Sequence, residues 1–160
     1  MISIAKSLQH LAWSNQQIFK EIAAMPEGVY ALRAAEGEWP VGKILNHFLN
    51  AGEWFRYLLT GEEWTELPRI TNSDVLLKMA TYLGELDSVL IAAASGPDAE
   101  LTFKGDDGTE QTTTTSMVLS QAIMHSAEHK GQLATILKAH GYSLDLDKYD
   151  LWNFESARSK

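Results

Sequence analysis

Apolar residues recur along residues 3–24 with a helical period. At about 100° of rotation per residue, Ile4, Leu8, Leu11, Ile18, Phe19 and Ile22 fall in one continuous stripe. That spacing predicts an amphipathic helix. Pro26 and Gly28 close it, and Trp39-Pro40 opens the next, because proline's missing donor costs nothing in a first helical turn. The second helix is predicted over residues 41–60, with Ile44, Phe48, Ala51, Phe55, Leu58 and Leu59 on its stripe and Gly61 where a C-terminal glycine is expected. Thr71-Asn72-Ser73 supplies a capping side chain for a third helix, whose face carries Val75, Met79, Tyr82, Leu83, Leu86, Val89 and Leu90 before Gly96-Pro97 ends it.

The period then changes. Leu101-Thr102-Phe103 and the threonine run 112–115 flank Gly105-Asp106-Asp107-Gly108, a combination that supplies the positive φ of a tight turn. A short β-hairpin or loop excursion is predicted there. Thr115 or Ser116 should cap a fourth helix bearing Val118, Leu119, Ala122, Ile123, Leu133, Ile136 and Leu137, which Gly141 terminates. The tail is expected to pack back through Leu151, Trp152 and Phe154, and the Trp and Tyr residues at helical spacing are read as core. Four amphipathic helices must bury their stripes against one another, so the expected architecture is an all-α four-helix bundle formed by residues 1–160 as one domain. The connections are long enough for crossovers other than up-down-up-down. Their spatial order stays open.

Composition narrows the chemistry. With 13 Lys+Arg against 21 Asp+Glu, the formal net charge of −8 has the wrong sign for a phosphate backbone, so nucleic acid is not an expected partner. Met1-Ile2-Ser3-Ile4-Ala5-Lys6 lacks the pattern of a signal peptide, and no run of about 18 apolar residues occurs. The reading is a soluble cytoplasmic protein without a membrane partner. Cysteine is absent, which removes disulfides, thiolate ligands and a protein-borne thiol nucleophile together.

His125 and His129 stand four residues apart on the apolar stripe of the fourth helix, so two inward imidazoles lie within reach of one metal ion. His47 lies one turn from Ala51 in the apolar arc of the second helix. A single histidine on such a face is more often a core residue with an ordinary hydrogen bond. Three would each bury a polar nitrogen needing a partner, and a shared cation satisfies all of them. His10 lies outside the first stripe and His140 precedes Gly141, so both are read as structural or solvent-facing. His125-Ser126-Ala127-Glu128-His129 also fits the H-x-x-E-H of inverted zinc peptidases. Those enzymes need an acidic ligand well downstream, whereas 31 residues follow His129, and Glu128 is rotated toward the rim. Glu128 is read as a solvated acid or a partner of a ligand histidine. Asn15 and Lys130 fall inside stripes and each needs a buried partner, an acid in the case of Lys130. A structural hydrogen bond is preferred to substrate contact for both. No phosphate-binding loop and no nucleophile elbow occurs in the sequence.

Several segments resemble, in order, the DinB-like (YfiT-like) superfamily of metal-binding four-helix bundles. Leu11-Ala12-Trp13-Ser14-Asn15 is similar to its W-x-N pattern, and Ile44-Leu45-Asn46-His47 through Glu53 to its second-helix histidine segment. Asp107-Gly108 before the last helix also fits. His125-Ser126-Ala127-Glu128-His129-Lys130-Gly131-Gln132-Leu133 resembles H-x-x-x-H-R-G-Q-[IL], with Lys130 where arginine is usual. The resemblance implies a three-histidine site with water in its open positions, nickel or zinc as the common metal, and frequent homodimers. In some branches it implies transferases or isomerases using a low-molecular-weight thiol.

Three neutral nitrogen ligands leave open positions, as in catalytic sites, and zinc, nickel or iron suits them. One expectation is an enzyme whose metal activates water or an external thiol toward a small electrophilic substrate, by transfer or hydrolysis. Another is a non-catalytic metal-binding stress-response protein whose ion fastens two helices. A third is that the histidines are core residues and no metal binds.

Overall fold

The computed structural model of the chain describes residues 4–105 and 107–158, so Ser3 of the first predicted helix and Asp106 of the predicted turn lie outside the described residues. Four long helices form where the periodicity places them: α1 (Ala5–Ala23), α2 (Val41–Thr60), α3 (Ser73–Ala93) and α4 (Thr115–Ala139). Local chemistry explains their ends. Asn72 accepts a hydrogen bond from the Val75 amide at the start of α3, and Gly61 adopts a left-handed φ of 72° after α2. A short α5 (Leu151–Arg158) and two 3-10 turns, Glu27–Ala31 and Leu146–Tyr149, complete the helical part.

The excursion before α4 is a hairpin. β1 (Glu100–Lys104) pairs antiparallel with β2 (Glu110–Thr114), Leu101 facing Thr113. Gly108 takes a φ of 77° in the turn, where the Asp107 carboxylate accepts from the Thr109 amide and hydroxyl. The helix cap differs from the predicted Thr115 or Ser116: Thr114, the last strand residue, accepts from the Met117 amide. The strand therefore passes into α4 without a loop. Asp98 takes the Ser116 amide and hydroxyl across the same junction, so Ser116 donates rather than caps.

α1 packs against α3 and α4, while α2 packs against the same two helices, so the order around the bundle is α1-α3-α2-α4. Helices consecutive in sequence within each half therefore sit across a diagonal. This arrangement buries more than one stripe of α2: Leu45 and Leu49 are sealed as completely as Ile44. The core includes Phe19, Ile22, Ile44, Leu83, Leu133 and Ile136. One expectation is corrected here. In the tail Phe154 is buried, but Leu151 and Trp152 are exposed, because the short α5 turns one side to the bundle and the other outward. Trp39 and Trp64, outside the predicted helices, are exposed. No helix among the described residues is long and apolar enough to cross a membrane.

Candidate metal centre

α2 and α4 are neighbours, and their facing sides bring His47 against His125 and His129. Helical geometry already places His125 and His129 one above the other, with ring centroids 4.3 Å apart. His47 reaches across, its Nε2 3.1 Å from His125 Nε2, which in turn lies 3.1 Å from His129 Nε2. The three ligand atoms lie within 4.8 Å of one another. His129 is buried and the other two are half-buried.

The donor set fits a cation better than it fits hydrogen bonding. His129 Nδ1 stands 2.9 Å from Gln132 Oε1; with that oxygen as acceptor, Nδ1 carries the proton and Nε2 presents its lone pair to the cluster. His125 Nε2 faces two nitrogens with one proton or one lone pair to offer, so a linear hydrogen bond satisfies one contact and leaves the other wanting. A tetrahedral ion at the usual metal–nitrogen length of about 2.0–2.1 Å separates its ligands by about 3.3 Å, close to the two short separations.

The surroundings favour the neutral form of His125 and His47. Burial, then the neighbouring His129 and His47, pushes His125 down to about 4. Burial likewise lowers His47, reinforced by His129 and Lys43 and opposed by Glu128. Glu128 is solvated at the rim, and the residue that orients a ligand histidine is Gln132. Phe48 packs beside His125 and His129, Phe55 stands edge-on to His125 at 6.0 Å, and Trp39 edge-on to His47 at 5.1 Å.

The other histidines have structural partners. His10 donates to the Tyr149 carbonyl at 2.7 Å, and His140 reaches the Arg33 carbonyl at 2.9 Å. Asn15 and Lys130 are buried, as their positions require, in a second polar group. Asn15 donates to both oxygens of Asp87, at 3.2 and 2.9 Å, and accepts from Ser126. Lys130 donates to Ser14 at 2.6 Å rather than directly to an acid. The acid is Asp87, whose charge acts on Lys130 from beyond ion-pair contact.

Two buried acids escaped the sequence reading. Asp87 follows Leu83 by one turn and precedes Leu90 by about one, so the α3 stripe already contained it. Glu53, fully buried on α2, accepts from Tyr82, from Arg56 at 2.7 Å and from the Thr65 amide at 3.2 Å. Its signal was Arg56 three residues on, a helical ion-pair spacing.

Comparison with known proteins finds the same architecture. The model of the DinB family matches residues 1–155. Protein DinB of Bacillus subtilis (strain 168) is 20% identical over 165 aligned positions, covering 97% of this chain and 96% of that protein. The crystal structure of a DinB-like protein from Bacillus cereus ATCC 10987 superposes with a TM-score of 0.64 at 15% identity, over 86% of this chain and 90% of the other.

Proposed function

The chain belongs to the DinB family, and from that premise we propose that His47, His125 and His129 hold one divalent metal ion, nickel or zinc before iron. The observation that carries the reading is the convergence of three imidazole nitrogens from two helices, one ring having its other nitrogen, His129 Nδ1, 2.9 Å from Gln132 Oε1. We further propose an enzyme acting on a small electrophile with water or an external low-molecular-weight thiol, by hydrolysis or transfer. When bound, the metal supplies a Lewis acid that makes such a nucleophile available near neutral pH. The chain's own part is to keep the His47 and His125 imidazoles unprotonated by burial, to orient His129 through Gln132, and to leave the Glu128 carboxylate at the rim, where it offsets positive charge. With no cysteine in the sequence, thiol chemistry here takes its sulfur from a cosubstrate.

Metal analysis by mass spectrometry on untagged protein tests this. Wild type is expected to carry about one equivalent and the His125→Ala/His129→Ala variant almost none, as three ligands are the usual minimum for such a site. Absence of metal from both, after incubation with zinc and with nickel, would overturn the reading. A second reading, a non-catalytic metal-binding protein, draws on Trp39, Phe48 and Phe55 packed around the histidines. Failure of the metal-loaded protein to turn over any electrophile, with water or with thiols, would favour it.

A further inference from the structure

The histidine cluster carries one charge of each sign at its rim, and each comes from one of the two helices that build it. On α2, Lys43 stands four residues before His47, so the two side chains leave the helix on the same side. On α4, Glu128 follows His125 by three residues and directly precedes His129. Both charged residues are exposed, whereas His129 is buried and His47 and His125 are half-buried. A molecule arriving from solvent meets the charges before the nitrogens.

Both charges reach the cluster, and neither is spent on the protein. Lys43 lowers the affinity of His47 for a proton and Glu128 raises it, so the two fields converge on that ring. The Lys43 ammonium lies 4.3 Å over the Trp39 ring, whose centroid is 5.1 Å from that of His47. Laid end to end, these distances keep the ammonium within a small molecule's length of His47. The aromatic face holds the ammonium in place without neutralising it. Neither Lys43 nor Glu128 takes part in an ion pair among the described residues. They do not close on each other, so the site keeps a positive side on α2 and a negative side on α4.

That polarity selects among ligands. An anion is drawn to Lys43 and repelled by Glu128, a cation meets the reverse, and a neutral molecule answers neither. A zwitterion answers both. Its carboxylate meets Lys43, its ammonium meets Glu128, and a third arm is left to reach the nitrogens' ion. Resting on the reading that His47, His125 and His129 hold a metal ion, we infer that the small molecule taking the open metal positions is a zwitterion of the α-amino-acid type, oriented by Lys43 and Glu128. Lys43 and Glu128 then set specificity, and Trp39 positions Lys43.

Calorimetry on the full zinc-loaded chain, its zinc content first measured by mass spectrometry, tests this with four thiols as probes. L-Cysteine carries both charges, N-acetyl-L-cysteine only the carboxylate, L-cysteine methyl ester only the ammonium and 2-mercaptoethanol neither. The thiols differ in acidity, so each is compared with itself between wild type and variant. Lys43→Gln is expected to weaken L-cysteine and N-acetyl-L-cysteine about fivefold, the upper end for an exposed ion pair, and to leave the methyl ester unchanged. Glu128→Gln should weaken L-cysteine and the methyl ester by a similar factor and leave N-acetyl-L-cysteine unchanged. 2-Mercaptoethanol should bind all three proteins alike. Affinities that neither substitution changes, or that each substitution lowers for all four thiols, would overturn the inference and leave the metal site standing. If no thiol binds to protein that holds zinc, the thiol reading falls and this inference with it; if no zinc is held, the metal reading itself has failed.

Discussion

α4 carries two polar clusters in the same stretch, and they differ in what they lack. His125 and His129 turn toward α2, where they meet His47. Ser126 and Lys130, each one residue further along, turn toward α1, where Ser126 donates to Asn15, itself a donor to Asp87 of α3, and Lys130 donates to Ser14. The second cluster contains its own anion and its own cation. The histidine cluster contains only nitrogen lone pairs and shared protons, with Gln132 orienting one ring and no carboxylate among the ligand atoms. Polarity within a bundle therefore does not by itself mark a site. A closed set of donors and acceptors acts as scaffold, whereas a set with surplus acceptors of one kind has the donor atoms to hold a cation.

The contrast can be broken most forcefully by withdrawing the proposed ion. Chelation should lower the melting temperature of the wild type by several degrees and leave His125→Ala/His129→Ala unmoved, because an ion bound to the folded state alone stabilises it by mass action; calorimetry with and without chelator checks this. If both proteins respond alike, the histidines are not the receptor. Next in size is the removal of the scaffold's cation. Lys130→Ala leaves Asp87 and Ser14 buried without it and should cost about 3 kcal/mol in urea unfolding, and Lys130→Met with Asp87→Asn should recover part of that.

Acidity offers a finer test, because the two buried carboxylates answer burial in opposite directions. Asp87 has an amide and a distant ammonium, and burial pushes it up to about 7. Glu53 is lowered: its burial is outweighed by hydrogen bonds from Tyr82, Arg56 and the Thr65 amide. A carboxyl raised in the fold stabilises it fully below its ordinary value of about 4, and that contribution fades as the pH climbs through about 7. A carboxyl lowered in the fold stabilises it above its ordinary value of about 4.3 and loses that as the pH falls through its folded value. In metal-free protein, Asp87→Asn should therefore remove a decline in stability between about pH 4 and 7, of at most roughly 1.4 kcal/mol per pH unit. Glu53→Gln should remove a loss on the acid side instead. Melting temperatures across pH 3–8 would sink the distinction if both variants flattened the same limb.

The smallest expected effect falls on the link that orients the receptor. Gln132→Ala frees His129 Nδ1 from its acceptor and should weaken metal binding about tenfold with little change in the fold, measurable by competition with a chromogenic chelator. Unchanged affinity would mean that packing against Phe48, not Gln132, holds the ring.

Much of this was legible in one dimension. Helix positions followed from periodicity and from Asn72 and Gly61 at their ends, since both signals are local. The i, i+4 spacing of His125 and His129 was equally local, and it alone put two ligands on one face. Lys130 announced a buried partner by its place on the stripe, although not which residue it would touch. Asp87 and Glu53 were passed over because an acid within an apolar stripe reads as an interruption until its donors are known.

The sequence by itself determined the helices, the turn chemistry between them and the inward face of His47, His125 and His129, because these depend on rotation per residue and on neighbours a few positions away. The tertiary structure decided that α2 rather than α1 lies against the histidines of α4, and that α3 brings Asp87 to Asn15. The physical reason is that the packing partner of a stripe is chosen by the shape and burial of whole helix faces. No single helix carries that information, so His47 became part of the site only when the bundle closed in the order α1-α3-α2-α4.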